Sequence, residues 1–380
     1  MDLPVLQMDL WMQPLQERLM KITENPNFGN YIVLIFFIIT GSILRVFNIG
    51  FQCLWTEEQY TLQMSRLPVS DLISTSLTSD VNPPVFYLLS HLSMVLSGFI
   101  EIAVRYPSVI TGILAIPAMY LLGKTTKDEI TGLFCAGLTA YLFPLVYYSQ
   151  FGRAYAASFL IFVVTLILFI RIRRGDQQAH LPIFFGILAA LNLWTHLYSI
   201  IPVSLLIIDL IITKKEIKPA IISGILCLPL LSIFLSTLHS RIGVSPSSGT
   251  GSGFGMKLSE ILIITPREFF GSLFPYLTVI SFWGIYQERK NRILIELAII
   301  ALITIIAGAI TSFYTPFFPR YYLQVSSILI MSASIACANL IEPIKSRNLK
   351  LMFIVGITIL FLAMLSGGIT DHYFIQKYAC

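Results

Sequence analysis

Residues 147–178 read "YYSQFGRAYAASFLIFVVTLILFIRIRRGDQQ", in which an unbroken apolar run at 154–171 ends among three arginines. A run of this length matches the roughly 20 helical residues needed to cross about 30 Å of hydrocarbon. A transmembrane β-strand would instead alternate in polarity over about ten residues. The run is continuous, so the stretch reads as a membrane-crossing helix. Its basic end lies in a short loop, which marks the cytoplasmic side, and "YYSQFGRAY" then falls outside.

The pattern repeats along the chain. About twelve apolar segments stand out, at 30–48, 84–100, 105–123, 130–148, 154–171, 182–196, 198–213, 218–238, 268–286, 293–312, 320–340 and 350–367. Of the 380 residues 56% are hydrophobic and only 12% charged, with a mean hydropathy of +0.80. Soluble domains hold about 45–50% apolar residues. The fold class expected is all-α, a polytopic transmembrane bundle of about 11–12 membrane segments.

The short loops "KTTKDE", "RIRRGDQQ", "TKKEIK", "QERKNR" and "EPIKSRNLK" are basic and read as cytoplasmic. The stretches 49–83, "THLYS", 239–267 and "TPFFPRYY" then lie on the outer side, as does the C-terminus. Residues 1–29 form an N-terminal cytoplasmic or interfacial segment, and the first span is expected to act as an uncleaved anchor. Residues 30–380 form one transmembrane domain, with extracytoplasmic loops at 49–83 and 239–267. The second loop holds the Gly/Ser-rich "SPSSGTGSGFG", a flexible composition. Parity is off by one: an odd number of crossings must separate 49–83 from "KTTKDE", yet two segments lie between them. Either residues 84–100 do not fully cross or one basic loop departs from the rule; 84–100, which open on Pro83-Pro84 and contain His91, are expected to form a partly inserted or juxtamembrane helix.

The net charge of +5 sits mostly in those loops, where it orients the chain, so nucleic-acid binding is not expected. Cys53, Cys135, Cys227, Cys337 and Cys380 show no metal or redox spacing. At least three lie in apolar runs, where cysteine usually packs as a small hydrophobe.

The polar features gather on the predicted outer side. "FQCLWTEEQY" (51–60) carries Glu57 and Glu58 side by side, and "DVNPPVFYLL" (80–89) carries Asp80 and Asn82. Arg153 stands among Tyr147, Tyr148 and Tyr155, Arg320 precedes Tyr321 and Tyr322, and His196 sits at a helix break before Tyr198. Each has an ordinary explanation: acids favour a helix N-terminus, prolines start helices, interfacial arginines snorkel, and a lone histidine is commonly a satisfied polar group. Two arginines outside nevertheless run against the positive-inside bias, and a guanidinium fork suits phosphate. Adjacent carboxylates on a helix diverge by about 100°. The pair therefore serves two roles more readily than one metal.

In order along the chain, "LWTEEQY", "DVNPPVFYLLSHL", "VRYPSVITGILAIPAMYLLGK", "YYSQFGRAYAASFLIF", "THLYSIIPV" and "FFPRYYLQV" resemble the GT-C glycosyltransferases. The resemblance is strongest to the dolichyl-phosphate-mannose–protein mannosyltransferase-like group, which includes enzymes that decorate lipid A. It covers roughly residues 30–340. It implies a polyprenyl-phosphate-linked sugar as donor, a protein, glycan or glycolipid as acceptor, and a site on the extracytoplasmic face of the cell membrane. The acidic pair of the first outer loop, usually Asp-Glu in the family, reads Glu57-Glu58 here. A His-Pro-Pro-like stretch reads Asn82-Pro83-Pro84, without the histidine.

These readings predict a general base at Glu57, a supporting carboxylate at Glu58, and donor-phosphate contacts from Arg153, Tyr155, Arg320 and Tyr321. Asp80, Asn82 and His196 are placed to meet the sugar, the acceptor or a divalent cation. The chemistry requires no cofactor, because prenyl phosphate leaves as a stable anion. Three other classes remain: a transporter or flippase for a lipid-linked substrate, which predicts charge within the spans; an intramembrane hydrolase, which predicts the acidic pair at membrane depth; and a non-catalytic scaffold.

Overall fold

The protein's architecture comes from a computed structural model that describes residues 28–78, 80, 82–98, 100–214, 216–231, 258–311 and 318–364. The expected N-terminal segment before residue 28, the loop residues 239–257 and the C-terminal end lie outside them. In chain order the helices are α1 (Phe28–Val46), α2 (Thr56–Ser65), α3 (Val69–Thr78), α4 (Pro84–Leu96), α5 (Tyr106–Thr126), α6 (Glu129–Tyr141), α7 (Phe143–Ser149) and α8 (Tyr155–Arg173). There follow α9 (His180–Thr195), α10 (Ile200–Lys214), α11 (Lys218–Cys227), α12 (Leu258–Phe270), α13 (Phe274–Gln287), α14 (Arg292–Thr311), α15 (Ser326–Ile341) and α16 (Arg347–Met364). Short 3-10 turns at Glu101–Arg105 and Pro319–Val325 lead into α5 and α15.

Among the described residues seven helical stretches are long and apolar enough to cross a membrane, and the bent pair α6–α7 makes an eighth. Three shorter apolar helices, Pro84–Leu96, His180–Thr195 and Lys218–Leu230, complete the set. The protein is a multi-pass membrane protein. In hydrocarbon a helix satisfies its own backbone, which is why uninterrupted apolar sequence takes this form. α8 and the stretch leading into α15 are mostly buried in the bundle, whereas α1 and α10 keep most of their surface outward.

The two ends of the bundle are chemically distinct. At one end Arg173 of α8 bridges Asp209 of α10 (3.1 Å) and Glu296 of α14, and Lys127 pairs with Glu288 at 3.4 Å. The Asp128 side chain caps α6 there, accepting from the Thr131 amide at 2.7 Å. α5 and α6 approach closely just above it: a Cβ on Gly123 would stand 2.8 Å from the Gly132 Cα. That clearance demands glycine, as at small-residue helix contacts generally.

The other end holds the polar motifs. α4 packs on α2, on α3 and on the Glu101–Arg105 turn: the Ser93 hydroxyl donates to the Ala103 carbonyl at 2.8 Å, and His91 Nδ1 lies 2.9 Å from the Ser65 carbonyl. Its 13 residues would rise only about 20 Å. Both ends of α4 are tied to the segments around the acidic loop, and at 13 residues it is shorter than the helices long enough to cross a membrane.

The break in α6–α7 builds a floor for this end. The two pieces bend by 60° about Leu142. Pro144 has no N–H for the Ala140 carbonyl four residues back. Arg45, buried at the end of α1, supplies the missing donors, reaching the Ala140 and Thr139 carbonyls at 3.0 and 2.8 Å and the Ser149 hydroxyl at 3.1 Å. The Gln150 amide in turn donates to the Leu44, Arg45 and Phe47 carbonyls at 3.2, 3.0 and 2.9 Å, which closes the last turn of α1.

Candidate active site

The acidic pair splits at the first turn of α2. Glu58 is fully buried and meets four donors. Its Oε1 accepts from Arg105 Nε and the Gly152 amide, both at 2.7 Å. Its Oε2 accepts from Arg105 Nη2 at 2.8 Å and the Trp55 amide at 3.0 Å. The last contact is half of a capping box, an acid at the third helical position reaching back to the cap residue. Arg105 spends its remaining N–H groups on the Ile49, Gln52 and Cys53 carbonyls at 2.6, 3.1 and 3.0 Å. Neither oxygen is open to solvent or substrate, so the supporting carboxylate expected at Glu58 does not itself reach the reacting groups. Its support is architectural: with Arg105 it ties the loop before α2 to the turn before α5 and to Gly152. A Cβ at Gly152 would lie 3.2 Å from Glu58 Oε1, which leaves room for little but glycine.

Glu57 is partly exposed. Its side chain keeps 38% of its surface, and among the described residues its one ion pair is Oε1 to Arg320 Nη2 at 2.8 Å, across 263 residues of sequence. Its backbone carbonyl accepts from the Thr61 hydroxyl at 3.1 Å and, more loosely, from Arg153 Nη1 at 3.4 Å. Arg153 Nη2 also reaches Asn82 Oδ1 at 3.1 Å. Asn82 Nδ2 donates to Asp80 Oδ1 at 3.1 Å, and the Tyr87 hydroxyl donates to Asp80 Oδ2 at 2.7 Å. Asp80 and Asn82 thus form one chain of hydrogen bonds that ends on Arg153, beside Glu57.

An aromatic wall borders the pair. Tyr155 stacks on Phe151 at 6.2 Å and on Tyr321 at 6.5 Å, and Tyr321 stacks on Tyr198 at 4.6 Å. His196 touches all three tyrosines, with ring centroids 5.6, 5.9 and 6.0 Å from Tyr155, Tyr198 and Tyr321. Burial, with the Arg153 charge adding to it, pushes the His196 imidazole down to about 3, so the ring is neutral. Its Nδ1 is buried without a hydrogen-bond partner. Tyr148, behind Tyr155, donates to Glu268 of α12.

Every residue singled out from the sequence lies at this end, and Glu57, Arg153, Tyr155, Arg320 and Tyr321 converge. Sequence reasoning passed over Arg105, Arg45 and Glu268. The signal for Arg105 was an arginine directly before the Tyr-Pro that opens α5. Arg45 and Glu268 give no local signal, because their partners lie about 100 and 120 residues away. Among the described residues no three His, Cys, Asp or Glu groups converge, Glu58 is enclosed, and Asp80 is occupied by Tyr87 and Asn82.

The same helical arrangement occurs in solved glycosyltransferases. The oligosaccharyltransferase of Archaeoglobus fulgidus, solved with zinc and sulfate, aligns over 91% of this chain and 57% of its own, with a TM-score of 0.57 and 16% identity. ArnT from Cupriavidus metallidurans in its apo state aligns over 91% of this chain and 71% of its own, with a TM-score of 0.60 and 13% identity.

The chain shares the fold of these two enzymes.

It spans about three fifths of the length of the archaeal oligosaccharyltransferase, whose AglB complex with an inhibitory peptide and a dolichol-phosphate aligns at a TM-score of 0.58, 13% identity, and 93% and 60% coverage of the two chains. No protein-family model and no curated protein matches the chain by sequence. Between the first span and α5, helix α2 carries the acidic pair.

Proposed function

We propose that the protein is a membrane glycosyltransferase that moves a sugar, hexose or pentose, from a polyprenyl-phosphate donor to an extracytoplasmic acceptor with inversion at the anomeric carbon. The observation that carries this reading is Glu57: an accessible carboxylate on a GT-C scaffold, 2.8 Å from an arginine and beside a second one. Support for the lipid phosphate comes from the neighbours, since ArnT was captured with undecaprenyl phosphate and AglB with a dolichol-phosphate. Acceptors of protein, glycan and glycolipid type all fit an open site; an archaeal relative was tethered to an acceptor peptide with an NVT sequon.

The acceptor O–H or N–H attacks the anomeric carbon opposite the leaving phosphate. The new carbon–acceptor bond forms as the carbon–phosphate-oxygen bond breaks, and the acceptor's proton passes to Glu57, which must lie within hydrogen-bond reach. The prenyl phosphate departs as an anion and needs no acid, unlike the two-carboxylate scheme of glycosidases. Arg320 and Arg153, with the Tyr155 and Tyr321 hydroxyls, stabilise the growing phosphate charge. Asp80 and Asn82 hold Arg153 in place, and the His196 wall borders the sugar. The prenyl tail would lie against the apolar faces of the spans.

The basic loops at the far end support a site on the outer face of the cell membrane. Cys53 is disulfide-bonded, as in an oxidising compartment. A transporter or flippase would carry charge along its path, whereas the charged groups described here gather at the two ends of the bundle. The deciding experiment assays membranes for sugar transfer from polyprenyl-phosphate donors with wild type and Glu57→Gln. Transfer and release of prenyl phosphate by wild type, with loss of both in Glu57→Gln, is expected; near-normal turnover in Glu57→Gln would remove the base assignment.

A further inference from the structure

The two glutamate–arginine pairs of α2 differ in a way that exceeds packing. Glu58–Arg105 is closed, with both oxygens doubly bonded and side-chain exposures of 0% and 3%. Glu57–Arg320 is a single contact between side chains 38% and 25% exposed. Its arginine also keeps an unused donor: among the described residues Arg320 Nε is buried without a hydrogen-bond partner, while the guanidinium rests on the Phe318 ring at 4.5 Å and meets the Tyr155 hydroxyl. A partly exposed single ion pair is worth about 0–1 kcal/mol. A guanidinium can bind phosphate bidentately, through contacts roughly twice as strong as neutral ones. The closed pair is built to last and the open one to exchange.

We infer that Arg320 is a donor-sensing latch on Glu57: in the donor-free protein it engages the carboxylate that must take the acceptor's proton, and the phosphate of the lipid carrier draws it away. This inference rests on the proposed function. While Oε1 accepts from Arg320 the carboxylate is held in the arginine's orientation, and the arginine's side of that oxygen is closed to an acceptor hydroxyl. The phosphate offers Arg320 two oxygens and lets Nε bond as well, which satisfies the buried atom. Releasing Glu57 requires only side-chain rotation, because its backbone carbonyl is held by Thr61 and Arg153. Arg320 can turn over the Phe318 face without losing that contact, since a cation over a ring is tolerant of rotation. The donor must then bind before the acceptor is activated, and the emptied site closes again when prenyl phosphate leaves. No atom changes oxidation state: the proton taken by Glu57 is lost to water before the pair re-forms.

The experiment measures binding of undecaprenyl phosphate to the purified full-length protein in nanodiscs, for wild type, Glu57→Gln, Arg320→Gln and the double variant. Because Glu57 competes for Arg320, Glu57→Gln is expected to bind the lipid about two- to five-fold more tightly than wild type, the range that up to ~1 kcal/mol of released pairing allows. Arg320→Gln binds more weakly. The double variant separates a latch from simple charge repulsion: with Arg320 already removed, Glu57→Gln should give no further gain. An equal gain in both backgrounds, or weaker or unchanged binding by Glu57→Gln alone, overturns the latch while leaving the donor reading in place. Absence of binding by folded wild type overturns the donor reading and the latch with it. Equal melting temperatures of the four proteins keep the comparison free of folding effects.

Discussion

Glu57 and Glu58 are neighbours in sequence, yet one is partly exposed beside Arg320 and the other is sealed against Arg105. Helix geometry causes the split: successive side chains point about 100° apart, so on a helix lying against the bundle one acid must turn inward when the next turns out. An inward carboxylate survives burial only with a full set of donors. Glu58 has them, and the four are supplied by three separate chain segments. Removing either partner leaves a buried charge, which costs about 3–5 kcal/mol. Glu58→Gln and Arg105→Met are therefore expected to lower the melting temperature sharply and reduce the yield of folded protein. A double variant that removes both charges should recover part of the loss, and strictly additive losses in thermal melts would contradict the pairing.

Arg153 has a different profile. Its contacts to the Glu57 carbonyl and the Thr61 hydroxyl are both long, at 3.4 Å, and its firm bond is to Asn82 at 3.1 Å. Such a group can turn toward a ligand without dismantling the fold. In a transfer assay Arg153→Gln is expected to lose about 10²–10³ in rate, the typical cost of one preorganised donor, with melting changed little. Arg153→Lys keeps the charge but not the fork, so it should recover only part of the rate. Full activity in Arg153→Lys would reduce its role to a point charge.

Much of this was legible in the sequence, for physical reasons. Apolar length announced the spans. Glu57, Arg153 and Arg320 stood out because charge is costly beside hydrocarbon and they lie away from the basic loops. The partition of the two glutamates was not legible, because it depends on which face of α2 meets Arg105 and Gly152, contacts 47 and 94 residues away. Arg45 was hidden for the same reason. It reads as a basic residue at the end of a span, and only the α6–α7 break, with its unmet carbonyls, gives it a task. The proline signal worked locally: Pro84 starts α4.

Cys53 supplies a test of sidedness. The sequence offered no pairing motif for it, yet it is disulfide-bonded, while Cys135, Cys227 and Cys337 are free. Its carbonyl is held by Arg105 at 3.0 Å, so the bond anchors the same loop as the Glu58 clamp. In intact cells under non-reducing conditions Cys53 should resist a membrane-impermeant maleimide and become labelled after mild reduction. Labelling without reduction would mean a free thiol. Absence of labelling after reduction, with denatured controls positive, would place the loop on the other side.

His196 gives the pH prediction. Its imidazole is held at about 3 when folded, against the usual value near 6.5. The cause is burial among Tyr155, Tyr198 and Tyr321, with Arg153 adding its charge. A depressed histidine means the unfolded chain binds the proton more readily than the folded one. Stability from this residue is therefore fully present above pH 6.5 and is lost as the pH falls from there toward 3, at up to about 1.4 kcal/mol per pH unit. The charged form would sit in an apolar, arginine-facing pocket, so no compensating partner arrests the loss. In melts of the purified protein from pH 7.5 to 5, wild type should lose stability relative to His196→Gln, which cannot take up the proton. At pH 7.5 the two should differ by no more than the ordinary cost of the substitution, and the gap should narrow or reverse at pH 5. Parallel curves across that range would show that His196 titrates normally and is open to water. A neutral ring at working pH also sets its chemistry: beside Tyr155 and Tyr321 it can exchange a hydrogen bond with a sugar hydroxyl, but it adds no positive charge to the phosphate site, which leaves that charge to Arg153 and Arg320.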